Sequence, residues 1–388
     1  MTAISAEVTK KESLWDKSGG WQGISAAIGI LALTRVGQLL MIAWMGGAND
    51  EPKTVWDRLL IWDAGWFLRV AMDGYPEGYT YSSDGRLEAN ELAFFPVYPM
   101  LIRAGAALGL DPNTAALSVA WLASIGAAIA LHLLGTSLYG KRAGWALVAI
   151  CCSAPASVVL SMAYSESIYI ALVAGMFVAA HRQVWWAAGL LGLLTALSRP
   201  TGAAAAIGLT VAALLAVRQS RVQAWKPLAA AAVALAGVPL FLGWVAYRVG
   251  EPTAWFKIQT AGWGTSFDYG SSTAEFLRST LRSGDGWIPV SMALILLVAL
   301  GAAGMALAQK PWLPLAVYGV VAMILVYGQA GFYHSKPRLL LPVLLTLLPA
   351  VVAASRARPR VAILSITAWA LFGLWYGAYL VTVWPYTL

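Results

Sequence analysis

Apolar runs of roughly 20 residues recur along the chain from Trp21 to Trp384, separated by short hydrophilic breaks. A run of that length crosses a hydrocarbon core about 30 Å thick as a helix. The pattern predicts spans at 21–45, 115–137, 143–160, 167–181, 184–198, 200–217, 226–247, 288–308, 312–330, 338–355 and 361–383. A further apolar stretch, 92–110, carries Pro96 and Pro99 in Phe95-Pro96-Val97-Tyr98-Pro99. Two prolines three apart interrupt a helix, so this stretch is expected to be re-entrant or interfacial. Two long breaks remain, 46–111 (which includes that stretch) and 248–287. In the first, apolar residues at 56, 59, 60, 66, 67 and 70 follow helical spacing, and Trp56, Trp62 and Trp66 suit a helix lying in the headgroup layer. The expectation is an all-α polytopic membrane protein, one domain over 1–388, with about eleven transmembrane helices, amphipathic helices in the first loop and a polar tail at 1–20.

Composition agrees. Of 388 residues, 60% are hydrophobic and 11% charged, against about 25% charged in soluble domains, which excludes a water-soluble fold. The formal charge of +8 does not form a nucleic-acid patch. It sits in the short breaks, at Lys141-Arg142, Arg182, Arg218 with Arg221 and Lys226, Lys310, and Arg356 with Arg358 and Arg360, as the positive-inside rule requires. If 92–110 spanned, every one of these clusters would fall outside. Eleven spans put them all inside, with the N-terminus cytoplasmic and the C-terminus out. The fifteen carboxylates beyond the N-terminal tail then all fall outside, and polar loops gathered on one face are where sites sit. The first run is too long for a signal h-region and reads as an uncleaved span. Cys151 and Cys152, the only cysteines, are adjacent in an apolar run. They support neither a disulfide nor a metal site, and no metal or cofactor is expected.

Candidate chemistry gathers at the outer ends of the spans. Asp63 lies on the apolar stripe of the first loop, three residues after Leu60 and four before Phe67. A carboxylate there is costly unless paired or used; the alternative is a helix that breaks at Trp62-Asp63 with Asp63 as its cap. Tyr164-Ser165-Glu166 places a second carboxylate at a span end, and His334-Ser335-Lys336-Pro337-Arg338 places three cationic groups at another. Outer cations run against the positive-inside tendency, so an anion should hold them, and the guanidinium fork matches phosphate oxygens. A satisfied interfacial histidine is the alternative for His334, and pairing with an acidic neighbour the alternative for Arg338. Arg199 adds one more outer cation. Arg35, inside the first span, is a lipid-phosphate candidate with no partner nameable from sequence.

Trp62-Asp63-Ala64-Gly65-Trp66-Phe67, Ala71-Met72-Asp73-Gly74-Tyr75 and Ala93-Phe94-Phe95-Pro96-Val97-Tyr98-Pro99 resemble the opening signature of the PIG-V-type mannosyltransferases. Tyr164-Ser165-Glu166-Ser167 is similar to that family's next motif, as are Arg199-Pro200-Thr201-Gly202, with its middle changed, and Lys336-Pro337-Arg338-Leu339-Leu340-Leu341-Pro342. The resemblance implies a GT-C glycosyltransferase bundle whose first outer loop carries the catalytic aspartate, here Asp63. It implies a polyprenyl- or dolichyl-phosphate mannose donor, inversion at the anomeric carbon, and no nucleotide sugar. The short Ala-rich chain reads as a bacterial member, in the plasma membrane, with its acceptor open. Gly65-Trp66 stands where relatives often have a histidine or tyrosine, so different acceptor contacts are expected there.

On this reading Asp63 is the general base, with Glu91 and Asp73 as the other carboxylates close by. Lys336, Arg338, His334 and Arg199 hold the donor phosphate, and Glu166, Tyr164, Glu91, Trp62 and Trp66 contact sugar or acceptor. The partners are the polyprenyl-phosphate-mannose donor, a lipid or glycolipid acceptor and membrane lipids. The alternatives are another polyprenyl-linked sugar such as arabinose or glucose, an isoprenoid-lipid transporter or flippase, and a structural subunit. A transporter would place ionisable groups at mid-bilayer, and a structural subunit would leave the acidic outer loop unexplained.

Overall fold

A computed structural model describes residues 13–47, 53–219 and 224–387. Tail lysines Lys10 and Lys11, loop carboxylates Asp50 and Glu51, and Arg221 lie outside the described residues. The architecture is helical, with one two-stranded hairpin among the described residues, Thr80–Tyr81 paired antiparallel with Leu87–Glu88. Six helices are long and apolar enough to cross a membrane: Gly20–Gly46, Pro112–Tyr139, Gly202–Gln219, Trp225–Val249, Trp287–Ala308 and Pro359–Thr382. Three shorter apolar helices, Glu166–His181, Trp185–Ala196 and Leu313–Gly328, accompany them. Helix Val97–Ala107 has 11 residues, or about 16 Å at 1.5 Å per residue, which is too short to cross.

Two expected spans are not continuous helices. In 143–160 the helix Lys141–Cys152 stops, and an irregular stretch follows. Pro155 causes the stop, because it disfavours helix at the residue before it and has no N–H to donate. The freed carbonyls are covered by hydrogen bonds: Ser153 Oγ donates to Ala149 O at 2.5 Å. Arg35 Nη1 donates to Ser157 O at 2.7 Å, and Nη2 to Cys152 O. Arg35 therefore holds a broken helix end rather than a lipid phosphate, which corrects the expectation for it. The last helix passes so close that a Cβ on Gly373 would lie 1.9 Å from Ser153 O, so only glycine fits there. In 338–355, Pro342 and Pro349 divide the chain into Lys336–Leu340, a turn at Leu344–Thr346 and Leu348–Arg356. The Tyr318 hydroxyl donates to the Pro342 carbonyl at 2.7 Å.

The two long loops fold on each other. Arg248 donates to the carbonyls of Tyr75 and Pro76 at 2.8 and 2.6 Å. Trp255 and Gln259, on helix Ala254–Trp263, both donate to Ala93 O, at 3.3 and 3.1 Å. Tyr79 donates to Glu251 at 2.7 Å, and Lys257, Tyr79 and Thr253 together hold that carboxyl down to about 2. An aromatic cluster of Phe95, Phe241 and Trp255 fills the join.

Candidate active site

The amphipathic helix expected over 56–70 is broken. Val55–Leu59 and Asp63–Met72 are separate helices, and Trp62 between them has φ 58° and ψ −111°. A tryptophan in the left-handed half of the map carries strain of about 1–3 kcal/mol. The break makes Asp63 the first residue of its helix, where the N-terminal end of the dipole favours a carboxylate. The alternative of a broken helix is thus the observed backbone. The Asp63 side chain, however, reaches across the molecule instead of capping its own helix.

Asp63 Oδ2 accepts a hydrogen bond from Arg338 Nη1 at 2.6 Å, joining residues 275 apart in the chain. Arg338 Nε lies 3.5 Å from Glu166 Oε1, and Arg199 Nη1 pairs with that same oxygen. Arg199 also donates to Ser165 Oγ at 3.4 Å. The Tyr164 ring lies 5.0 Å from the Arg338 guanidinium carbon, and its hydroxyl accepts from the Asp63 N–H at 3.3 Å. Burial and the neighbouring Asp63 push the Tyr164 phenol well up. The Glu166 side chain is 1% exposed, Arg338 10% and Asp63 20%, so Asp63 is the most exposed of the charged group. Two carboxylates and two guanidiniums cancel, which is how charges this deep are tolerated.

These residues line a cavity of about 400 Å³. Much of its remaining wall is apolar and aromatic, with Phe67, Phe94 and Phe95 from the first loop, Trp255, Phe256 and Trp263 from the second, and Val238, Leu242, Leu325 and Leu339 from the helices, and Gln259, Thr265, Ser266 and Gln329 add polar groups. Lys336 also lines it; its ammonium donates to the carbonyls of Val326 and Gln329 at 2.8 and 2.7 Å. Burial lowers Lys336 to about 8, against a smaller upward pull from Asp268.

Sequence reasoning named Asp63, Tyr164, Glu166, Arg199, Lys336 and Arg338, and the fold brings all six to one cavity. It does not bring Trp62, Trp66, Glu91 or His334 to that wall. Glu91 accepts from Arg69 at 2.7 Å, and Arg69 lies 4.0 Å over the Trp66 ring, which stacks on Phe94. His334 is buried against Phe332, Tyr333 and Tyr386, and burial lowers it. Glu166, expected on sugar hydroxyls, has its carboxylate turned to the two arginines. Trp255, Gln259 and Trp263 were missed. Their four-residue spacing marks one face of a helix in the second loop, and that signal was legible.

Residues 47–218 match the family model described as Mannosyltransferase (PIG-V). The matched stretch carries Asp63, Tyr164, Glu166 and Arg199, whereas Lys336 and Arg338 lie beyond it and are brought to the same cavity by the fold. No curated protein matches the chain. Among solved structures it is similar to the oligosaccharyltransferase of Archaeoglobus fulgidus. The apo form gives a TM-score of 0.47 at 15% identity, covering 96% of this chain and 57% of that one. The complex with Zn and sulfate gives 0.45 at 14%, covering 91% and 53%. The archaeal oligosaccharyltransferase AglB with an inhibitory peptide and a dolichol-phosphate gives 0.48 at 13%, covering 94% and 56%. This chain thus spans about half the length of the structures it matches.

Proposed function

We propose that this chain is a GT-C membrane glycosyltransferase that moves mannose from a polyprenyl-phosphate carrier to a lipid or glycolipid acceptor, on the non-cytoplasmic face and with inversion. The observation that carries the reading is the Asp63–Arg338 pair in a cavity with an aromatic and apolar wall. The PIG-V match over 47–218 supports the sugar and the reaction class. A bacterial plasma membrane and eleven spans belong to the same proposal.

In this reading Asp63 accepts the proton of the acceptor hydroxyl as that oxygen attacks the anomeric carbon. Oδ2 is held by Arg338, which leaves Oδ1 for the hydroxyl. The bond to the donor phosphate breaks as the new glycosidic bond forms, and the polyprenyl phosphate leaves as an anion. That leaving group is a weak base and needs charge stabilisation more than a proton. Arg338 keeps Nη2 for a phosphate oxygen, and Lys336 adds the positive charge that the balanced cluster lacks. Glu166 pairs with both arginines and so positions the phosphate site. The apolar wall suits the first isoprene units, and the aromatic rings suit a sugar face.

The test is to incubate purified protein with labelled polyprenyl-phosphate mannose and native membrane lipid. A new labelled mannolipid is expected. Transfer from the glucose- or arabinose-bearing carrier alone would reassign the sugar, and no transfer from any of them would overturn the enzyme reading.

A further inference from the structure

A second cavity, of about 370 Å³, is lined by Tyr139, Gly140, Lys141, Arg142, Val352, Ser355 and Arg356. It lies at the other end of the molecule from Asp63. Helix Lys141–Cys152 starts at this cavity and leads into the stretch that ends at Tyr164 and Glu166. Helix Leu348–Arg356 packs against it and returns from the Arg338 side. Three cations therefore meet at one rim, all exposed. Among the described residues no carboxylate pairs with Lys141, Arg142 or Arg356. Asp16, on the neighbouring segment, is engaged by Ser13 at 2.6 Å.

Two further features set the depth and nature of this rim. Lys141 lies beside Gly19, the glycine between helices Leu14–Ser18 and Gly20–Gly46, where a Cβ would come within 3.2 Å of the lysine Cδ. Trp15, on helix Leu14–Ser18, and Trp21, at the start of helix Gly20–Gly46, are 43% and 78% exposed and pack edge to face at 5.1 Å. Exposed tryptophans at a helix end mark the headgroup layer. Just past Arg356, the last helix opens with Val361, Ile363 and Leu364, all outward and more than half exposed. The N-terminal turn of helix Lys141–Cys152 has no side-chain cap, so its amides add to the positive field already set by the three cations.

We propose that this cavity binds the phosphodiester headgroup of an anionic phospholipid, in the leaflet away from the Asp63 cavity, with Arg142 and Arg356 as a two-sided clamp and Lys141 at its edge. The acyl chains lie along Val361, Ile363 and Leu364. Insertion by the positive-inside rule accounts for cations on this face in general; it does not account for three of them, from two distant segments, converging on one cavity.

The test compares purified full-length protein with Arg142→Gln/Arg356→Gln and Arg358→Gln/Arg360→Gln, the second pair removing equal charge from the same end but outside the cavity. Melting is followed against short-chain phosphatidylglycerol, phosphatidylcholine and inorganic phosphate. Phosphatidylglycerol should raise the melting temperature of wild type and of the Arg358/Arg360 variant. Phosphatidylcholine and millimolar phosphate should do neither. In the cavity variant the apparent affinity should fall roughly fivefold per cation, the equivalent of about 1 kcal/mol each near a membrane surface. If the double variant does not fold, Arg142→Gln and Arg356→Gln are titrated singly, each expected at about a fivefold loss. Equal loss in the two double variants would reduce the effect to diffuse surface charge. A shift with free phosphate would make this a soluble-anion site, and no response to phosphatidylglycerol would remove the site. Any of the three overturns the proposal.

Discussion

Cations collect at both ends of this molecule, but they are handled in opposite ways. Around Asp63 the two guanidiniums are buried, and each meets a carboxylate: Arg338 meets Asp63 and Glu166, and Arg199 meets Glu166. Around Lys141 the three cations are exposed and no carboxylate pairs with them among the described residues. Depth explains the difference. An exposed cation is compensated by water and lipid phosphate at little cost, whereas a buried one needs an internal counter-charge, as Arg199 and Arg338 have, or backbone carbonyls, as Arg35 and Lys336 have. The paired end can therefore hold charge beside an apolar wall. The unpaired end can only answer to its surroundings.

Removing the counter-charge breaks the comparison most severely. Glu166→Leu leaves Arg199 without a carboxylate and Arg338 with Asp63 alone in a buried site, and a loss of about 3–5 kcal/mol of stability is expected, read as a lower melting temperature. A variant that melts like wild type would show that Glu166 does not hold the cluster. A smaller effect is expected from Arg338→Ala. Charge-assisted contacts are worth about 1.5–3 kcal/mol, so donor affinity should fall roughly ten- to a hundredfold in direct binding. An unchanged donor response would leave Arg338 a structural partner of Asp63.

Lys336 sharpens the contrast through pH. Burial favours its neutral form and brings it down to about 8, so its ammonium is fully present below that pH and is lost as pH rises through it. Donor affinity should decline above about pH 8 in wild type, and Lys336→Arg should carry the plateau to higher pH. The folding linkage has the other sign. The unfolded lysine holds its proton up to the usual lysine range, so the cost of burying the charge is present below about 8 and is relieved as pH rises beyond it. The smallest effect belongs to the exposed end: Arg358→Gln should change stability by no more than about 0.5 kcal/mol.

Much of this contrast was legible in the sequence, because each half has its own signal. Apolar runs gave the helices, and basic breaks gave the exposed end. The six charged or phenolic residues of the cavity stood out because they interrupt apolar surroundings at span ends. The breaks were harder. Pro155 and Pro342 are visible, but whether a proline kinks a span or ends it depends on who covers the freed carbonyls, and Arg35, more than a hundred residues away, does so at the first. The single helix expected over 56–70 failed at Trp62, where a strained backbone overrides the helical pattern. Glu91 and Trp66 kept company with Arg69 because that partner was nearer than the cavity.

The central claim is that Asp63 takes the proton while Arg338 and Lys336 hold the phosphate. The most direct test measures donor affinity and turnover together in purified Asp63→Asn. The amide keeps the shape but cannot accept the proton, so turnover should fall by roughly 10²–10⁴. Donor affinity should stay level or rise, because Arg338 is released from its partner. Turnover within threefold of wild type, or a donor affinity that falls in step with turnover, would contradict the account.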